Sequence, residues 1–159
     1  MQDYIYTIRQ KIEGLKTAIM YSTSNDILKL PTHIVHTLKV DDEGYLWFIV
    51  PKPRQAITAF EQRFPVALQY FKKGSPDVIN VSGSAEIVTQ QSIIDNIDFM
   101  TEERKNELLE QHIFLRVKML QVELDELEIN RKSFWQNIKQ SLLELVAPPA
   151  HHQTFDLSL

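Results

Sequence analysis

The sequence predicts a mainly β chain, an antiparallel barrel with flanking helices. Three observations carry that prediction. In Asp77–Thr89, Ile79, Val81, Gly83, Ala85 and Ile87 fall on one face of a strand, and Asn80, Ser82, Ser84 and Glu86 on the other. In Asp41–Pro51, DDEGYLWFIVP, a polar turn leads into a strand that is apolar on both faces, and such a strand must be covered on both sides. The turn at Asp41–Gly44 is also too short for the crossover of a parallel pair, which argues against a doubly wound α/β sheet.

The elements follow in order. Tyr4, Ile5, Ile8, Ile12 and Leu15 recur at helical spacing, so residues 3–14 predict an amphipathic helix ended near Gly14. Residues 16–24 read as a strand, Asn25–Asp26 as a turn, and Leu30–Val40 as a second strand. Gly44 suits the hairpin turn because it tolerates positive φ, and Tyr45–Val50 is the third strand. Pro53 suits the first turn of a helix, whose apolar stripe is Ala56, Ile57, Phe60 and Phe64 and which Pro65 ends. Val66–Phe71 is the fourth strand, Lys72–Pro76 a polar loop and Asp77–Thr89 the fifth strand. Its middle thins to Gly83 and Ala85, which lets another backbone come close.

Residues 91–110 read as helical with a break near Thr101, a hydroxyl before two glutamates that makes a good N-cap. In Ile113–Ile129 the alternation slips: Leu115, Val117 and Met119 share one face, Leu120, Val122 and Leu124 the other, and Leu127 and Ile129 return to the first. Such a slip marks a bulge or sharp bend, so the segment is either two strands or one coiled strand. Phe134, Ile138, Leu142 and Leu145 define a last helix, closed by Pro148–Pro149. Residues 1–146 read as one domain and 147–159 as a loosely held tail.

Composition narrows the function classes. A chain of 159 residues with net charge −4 gives no support to nucleic-acid binding, which needs a basic face. The absence of cysteine excludes disulfides, thiolate chemistry and cysteine metal sites. No apolar run reaches the ~20 residues of a membrane span, and the charged N-terminus is unlike a signal peptide. The expectation is a cytoplasmic protein with no membrane partner.

DDEGYLWFIV, then FPVALQY, then VSGSAEIV is similar to the pyridoxamine 5′-phosphate oxidase-like family, in particular its general stress protein branch. The resemblance covers roughly residues 5–120. It implies a split β-barrel that forms a homodimer and binds FMN in clefts at the dimer interface, with an FMN-dependent oxidoreductase activity on an unknown substrate. This chain departs from the family pattern at the phosphate. His33 and Ile34 stand where the family has Arg-Pro, and Val50, Arg54 and Ala56 where it has Thr, Ser and Lys. The alternative is a split-barrel dimer without a cofactor, acting as a binding or stress-related module.

Lys52, Arg54 and Gln55 sit at the start of the helix expected after Pro51. Unpaired N–H groups and the helix dipole favour an anion there, and Arg adds a planar donor fork. The bland reading is a solvated loop junction. Trp47, Phe48, Ile49 and Val50 could wall an isoalloxazine ring, or simply pack in the core. Thr32 and His33 lie on the neighbouring strand, where His33 could meet a phosphate or flavin carbonyl or stay an exposed strand histidine. Trp135 could reach across a dimer to cap the ligand, or pack on its own barrel. No side chain stands out as an acid or base for a substrate. His33 and His36 are badly spaced for a metal pair on a strand, so no metal site is expected.

Overall fold

The computed structural model of the chain describes residues 2–22, 33–54, 63–126 and 151–157. The elements, in order, are α1 (Gln2–Leu15), β1 (Thr17–Ser22), β2 (Ile34–Val40), β3 (Tyr45–Pro51), β4 (Arg63–Phe71), β5 (Asp77–Val88), α2 (Gln91–Asp95), α3 (Glu102–Leu109), β6 (His112–Glu126) and β7 (His151–Asp156). The strands lie in the order β3-β2-β1-β4-β5-β6-β7, and an additional β3–β6 pairing closes the first six into a barrel. All the pairings are antiparallel. The chain is an antiparallel barrel with helices against it, as the alternation implied, and it is split as the resemblance implied.

Ile8 and Ile12 on the buried stripe of α1 are fully enclosed and join the barrel core with Phe48, Leu68, Tyr70, Ile79, Leu115 and Val122. The helix does not stop at Gly14. It runs through Leu15, and the left-handed residue is Lys16, at φ 63°. The Lys16 N–H donates to the Ile12 carbonyl at 2.7 Å, the single bond of an αL cap.

The phase slip in β6 is a bulge. Gln121 pairs with Ser82 and Met119 with Gly83, so Leu120 is the extra residue, and it points outward, 36% exposed. β6 remains one continuous strand. Before the bulge its free edge pairs with β3 through His112–Lys118; after it the same edge takes β7 through Gln121–Glu126. The tail expected to be loosely held thus supplies a strand at His151–Asp156, and Phe155 and Leu157 pack against the core. A Cβ on Gly83 would overlap the Lys118 carbonyl oxygen and come within 2.9 Å of Val117 Cγ1. That is the backbone approach its position predicts.

One expectation needs correction and a second is answered. Phe64 and Pro65 do not end a helix; they open β4, where Phe64, Val66, Leu68 and Tyr70 alternate inward. The β1 ladder reaches only Val66, so on that side the missing N–H of Pro65 breaks no described bond. Second, the outer face of β3 is covered by its own chain. Trp47, Val88, Ile94, Ile97 and Phe114 form a second buried cluster, with Ile49, Ile93, Phe99 and Leu109 packed on it. The segment carrying α2 and α3 is therefore the roof of that wall. The Thr101 side chain accepts from the Arg104 N–H at 3.3 Å, capping α3 where the sequence placed the break. Residues 25–32, the helix stripe Ala56–Phe60, Leu127, Ile129 and the last helix from Phe134 lie outside the described residues.

Candidate functional site

The barrel is split between β2 and β3. Their ladder runs only from Thr37 opposite Phe48 to Val40 opposite Leu46, with Leu38 as an extra residue in β2. Below Thr37, Ile34–His36 pair with β1, while beyond Phe48, Ile49–Pro51 pair with β6. A β3 residue points its backbone groups to one edge or the other in alternation. Part of the Ile49–Pro51 edge therefore faces the gap.

His33 stands at the start of β2 and Lys52 and Arg54 just past the end of β3, so all three belong to the open end of the same hairpin. All three are exposed, whereas Pro53 between the two cations is buried. The His33 carbonyl accepts from the Met20 N–H at 2.7 Å. The Lys52 N–H donates to the Gln111 carbonyl at 2.9 Å, and Pro51 stands opposite His112. The Lys52 amide is thus taken by the residue just before β6, while its ammonium and the Arg54 guanidinium stand exposed. Thr32, Gln55 and Trp135 lie outside the described residues.

The four wall residues divide between two interiors. Phe48 and Val50 point into the barrel core and are at most 1% exposed. Trp47 faces outward under α2 and α3, its ring 5.8 Å from that of Phe99 in an edge-on contact. Its indole N–H donates to Asp41 Oδ2 at 2.9 Å. Ile49 is half-buried beside it. None of these side chains projects into the gap between β2 and β3, so a planar ring there would meet the backbone edge of β3. The gap thus has two exposed cations at its mouth and backbone along its β3 side.

Sequence reasoning missed Gln111 and His112, which carry no local signal and reach the site only through β3–β6 pairing. It also missed a network on the outer face. Arg116 stands opposite both Trp47 and Glu86. Its guanidinium donates from Nε to Glu86 Oε2 at 2.9 Å and lies 4.6 Å over the Tyr45 ring. Arg63 meets the other Glu86 oxygen at 3.5 Å. The one available clue was an arginine inside an apolar alternation, Leu115-Arg116-Val117. Beside the hairpin tip, Arg9 donates to Asp42 at 2.6 Å, and that hydrogen bond, with the guanidinium charge, holds the Asp42 carboxyl below its ordinary range. Among the described residues, no group of three His, Asp or Glu side chains could hold a metal ion, and no helix is long and apolar enough to cross a membrane.

This fold is shared with solved proteins of low sequence identity. The chain is similar over 98% of its length, at 15% identity, to a general stress protein 26 from Jannaschia sp. CCS1, with 99% of that chain covered and a TM-score of 0.59. A protein from Clostridium acetobutylicum related to general stress protein 26, of the pyridoxinephosphate oxidase family, matches over 99% of this chain and 96% of its own at 9% identity and TM-score 0.60. The general stress FMN/FAD binding protein of Xanthomonas citri matches over 99% and 91% at 12% identity and TM-score 0.53. These are the proteins to which the sequence resemblance pointed. At such identities the likeness establishes the fold. No protein-family model matches the sequence, and no curated protein does.

Proposed function

We propose that the chain is a homodimeric split barrel that binds FMN, or a related phosphorylated flavin, at the open end of the β2–β3 hairpin. The observation that carries this reading is the placement of Lys52 and Arg54, two exposed cations past the end of β3, at the mouth of the gap. Lys52 and Arg54 bind the phosphate, Arg54 through paired N–H donors. The Ile49–Pro51 backbone edge takes the ring, and His33 borders the mouth from β2. A bound flavin would supply the redox chemistry; these residues bind and orient it. The outer face of β2 and β1 supplies the dimer contact. Leu38 and Tyr21 are 41% and 50% exposed on it, and this face adjoins the gap, so a second copy seated there would shield the ring from water. The likeness to a general stress FMN/FAD binding protein over nearly the whole chain supports the same reading.

Fluorescence titration of FMN with the purified protein tests it. The expected result is quenching at one flavin per protomer, weakened about tenfold or more in Arg54→Ala as one charge-assisted anchor is lost. FMN emission that stays unchanged overturns the reading and leaves the dimer without a cofactor. Unchanged affinity in Arg54→Ala removes Arg54 as the anchor.

A further inference from the structure

A second cleft lies at the opposite end of the sheet, between the C-terminal half of α1 and the β4–β5 turn. It is a shallow, open cleft of about 440 Å³. Lys11 lines it from the helix, and Lys72, Lys73 and Ser75 from the turn. Three lysines face one acid, Asp77, in a chain whose net charge is −4. Asp77 is already engaged: Lys11 Nζ lies 3.4 Å from its carboxylate, and its backbone N–H donates to Ser75 Oγ at 3.3 Å. Having accepted that bond, the Ser75 hydroxyl keeps its proton to donate. The Lys72 and Lys73 side chains are exposed and form no hydrogen bond or ion pair with another described residue.

Two glycines border this cleft. A Cβ on Gly14, in the helix wall, would meet nothing within 4 Å. Gly74 takes φ +87°, which turns the Lys72–Ser75 loop back on itself, with the Ser75 N–H donating to the Lys72 carbonyl at 3.0 Å. A surplus of two positive charges around a concave space with a hydroxyl donor is suited to an anion. The donors are lysines, compact charges on flexible stems, with no arginine fork. They favour an anion whose charge is spread over many oxygens above a single planar carboxylate.

We infer that this cleft is a binding site for a small polyphosphate-bearing anion, separate from the flavin end of the barrel. The probe is inorganic tripolyphosphate, titrated by calorimetry at low ionic strength while backbone amide shifts are followed by NMR. Shifts are expected at Lys72–Ser75 and around Gly14, with affinity falling as salt is added. Lys72→Glu/Lys73→Glu should weaken binding about tenfold or more, since each change replaces attraction by repulsion. Gly14→Glu should weaken it in the same direction without disturbing the fold, because the new side chain enters open space, whereas Gly14→Ala should leave it unchanged. FMN affinity should be the same in all these variants, so this site and the flavin site can fail separately. Tripolyphosphate that does not bind, that shifts Lys52–Arg54 instead, or that binds Gly14→Glu and the double variant as it binds the parent chain overturns the inference.

Discussion

On the outer face of β3, β6 and β5, Ile49, Phe114 and Val88 stand in one cross-strand row, and α2 and α3 lie over them. On the outer face of β2 and β1 the same alternation leaves Ile34 57% exposed, Leu38 41% and Tyr21 50%. Both walls enclose the same core. They differ in what the chain does next. Between β5 and β6 it inserts residues 89–111, which carry Ile94, Ile97 and Phe99 back over the strands it has just left. Among the described residues no element packs across the β2–β1 face. One wall is therefore sealed within the chain, and the other presents apolar surface beside the gap that ends at Lys52 and Arg54.

The largest expected effect concerns the β5–β6 pair, which belongs to the roofed wall. Gly83→Val places a side chain against the Lys118 backbone, which cannot rotate away as a flexible side chain would. Overpacking usually costs about 1–3 kcal/mol, and a clash with backbone belongs at the top of that range. Urea denaturation should show the loss, together with a reduced near-UV signal from Trp47 as the roofed face shifts. A Gly83→Val protein as stable as the parent would mean that the Leu120 bulge can slide, and that the close approach is not what shapes the sheet.

The roof can be unfastened by itself. Lys105 is 1% exposed, and its ammonium donates to the carbonyls of Ile94 and Ile97 at 3.1 Å each while pairing with Glu102. A buried charge with its donors satisfied ties α3 to the end of α2. Lys105→Met keeps the length of the side chain and removes this donor from both carbonyls, of which Ile94's keeps the Ile97 N–H and Ile97's is stranded, at about 1–3 kcal/mol. Trp47 emission should shift to the red as water reaches it, and the barrel core should persist. If the loss is global and cooperative with no change at Trp47 before unfolding, the two walls are one folding unit and the contrast between them is only geometric.

Much of this architecture was legible because it is local. The change of phase between Met119 and Leu120 located the bulge to the residue, and a hydroxyl ahead of two glutamates located the start of α3. A wall apolar on both faces showed that β3 needs cover, but not whose, because coverage is decided by where α2 and α3 return in space. β7 was illegible for a related reason: His151–Asp156 has little apolar alternation of its own and is a strand because the edge of β6 beyond the bulge is open to it. Past the end of β3, the exposed positions of Lys52 and Arg54 could be placed from the sequence, while the nearness of Gln111 and His112 arises only through pairing. The aromatic wall failed to materialise because alternation sends Phe48 inward and Trp47 under the roof.

A smaller effect comes from the core common to both walls. Tyr70 is fully enclosed, and its hydroxyl lies 2.7 Å from Thr37 Oγ1. Burial raises its phenol above the ordinary range, against the weaker opposing influence of the Thr37 bond. The folded state therefore holds this proton more tightly than the unfolded chain does. Stability is intact below pH ~10, the phenol's value when unfolded, and falls as pH rises past it at up to about 1.4 kcal/mol per pH unit. Tyr70→Phe should cost about 1 kcal/mol at neutral pH through the stranded threonine, yet show a shallower alkaline loss. Parallel slopes in parent and variant would place the alkaline transition in some other group.

The smallest effect on the fold should come from the exposed side chains of β2, and it bears most directly on the contrast. Ile34→Lys and Leu38→Lys alter outward side chains on β2 that line no part of the core. Exposed substitutions of this kind usually change stability by no more than about 0.5 kcal/mol. If a second copy sits on this face, the pair of lysines brings four like charges into an apolar contact, and sedimentation should show the dimer giving way to monomer while urea midpoints extrapolated to low protein concentration stay where they were. FMN affinity should fall with the dimer, because the partner that shields the ring has left. A double variant that sediments as the parent does would move the interface to another surface. A loss of monomer stability well above the expected half kilocalorie would show instead that this wall is covered by its own chain, as the other one is.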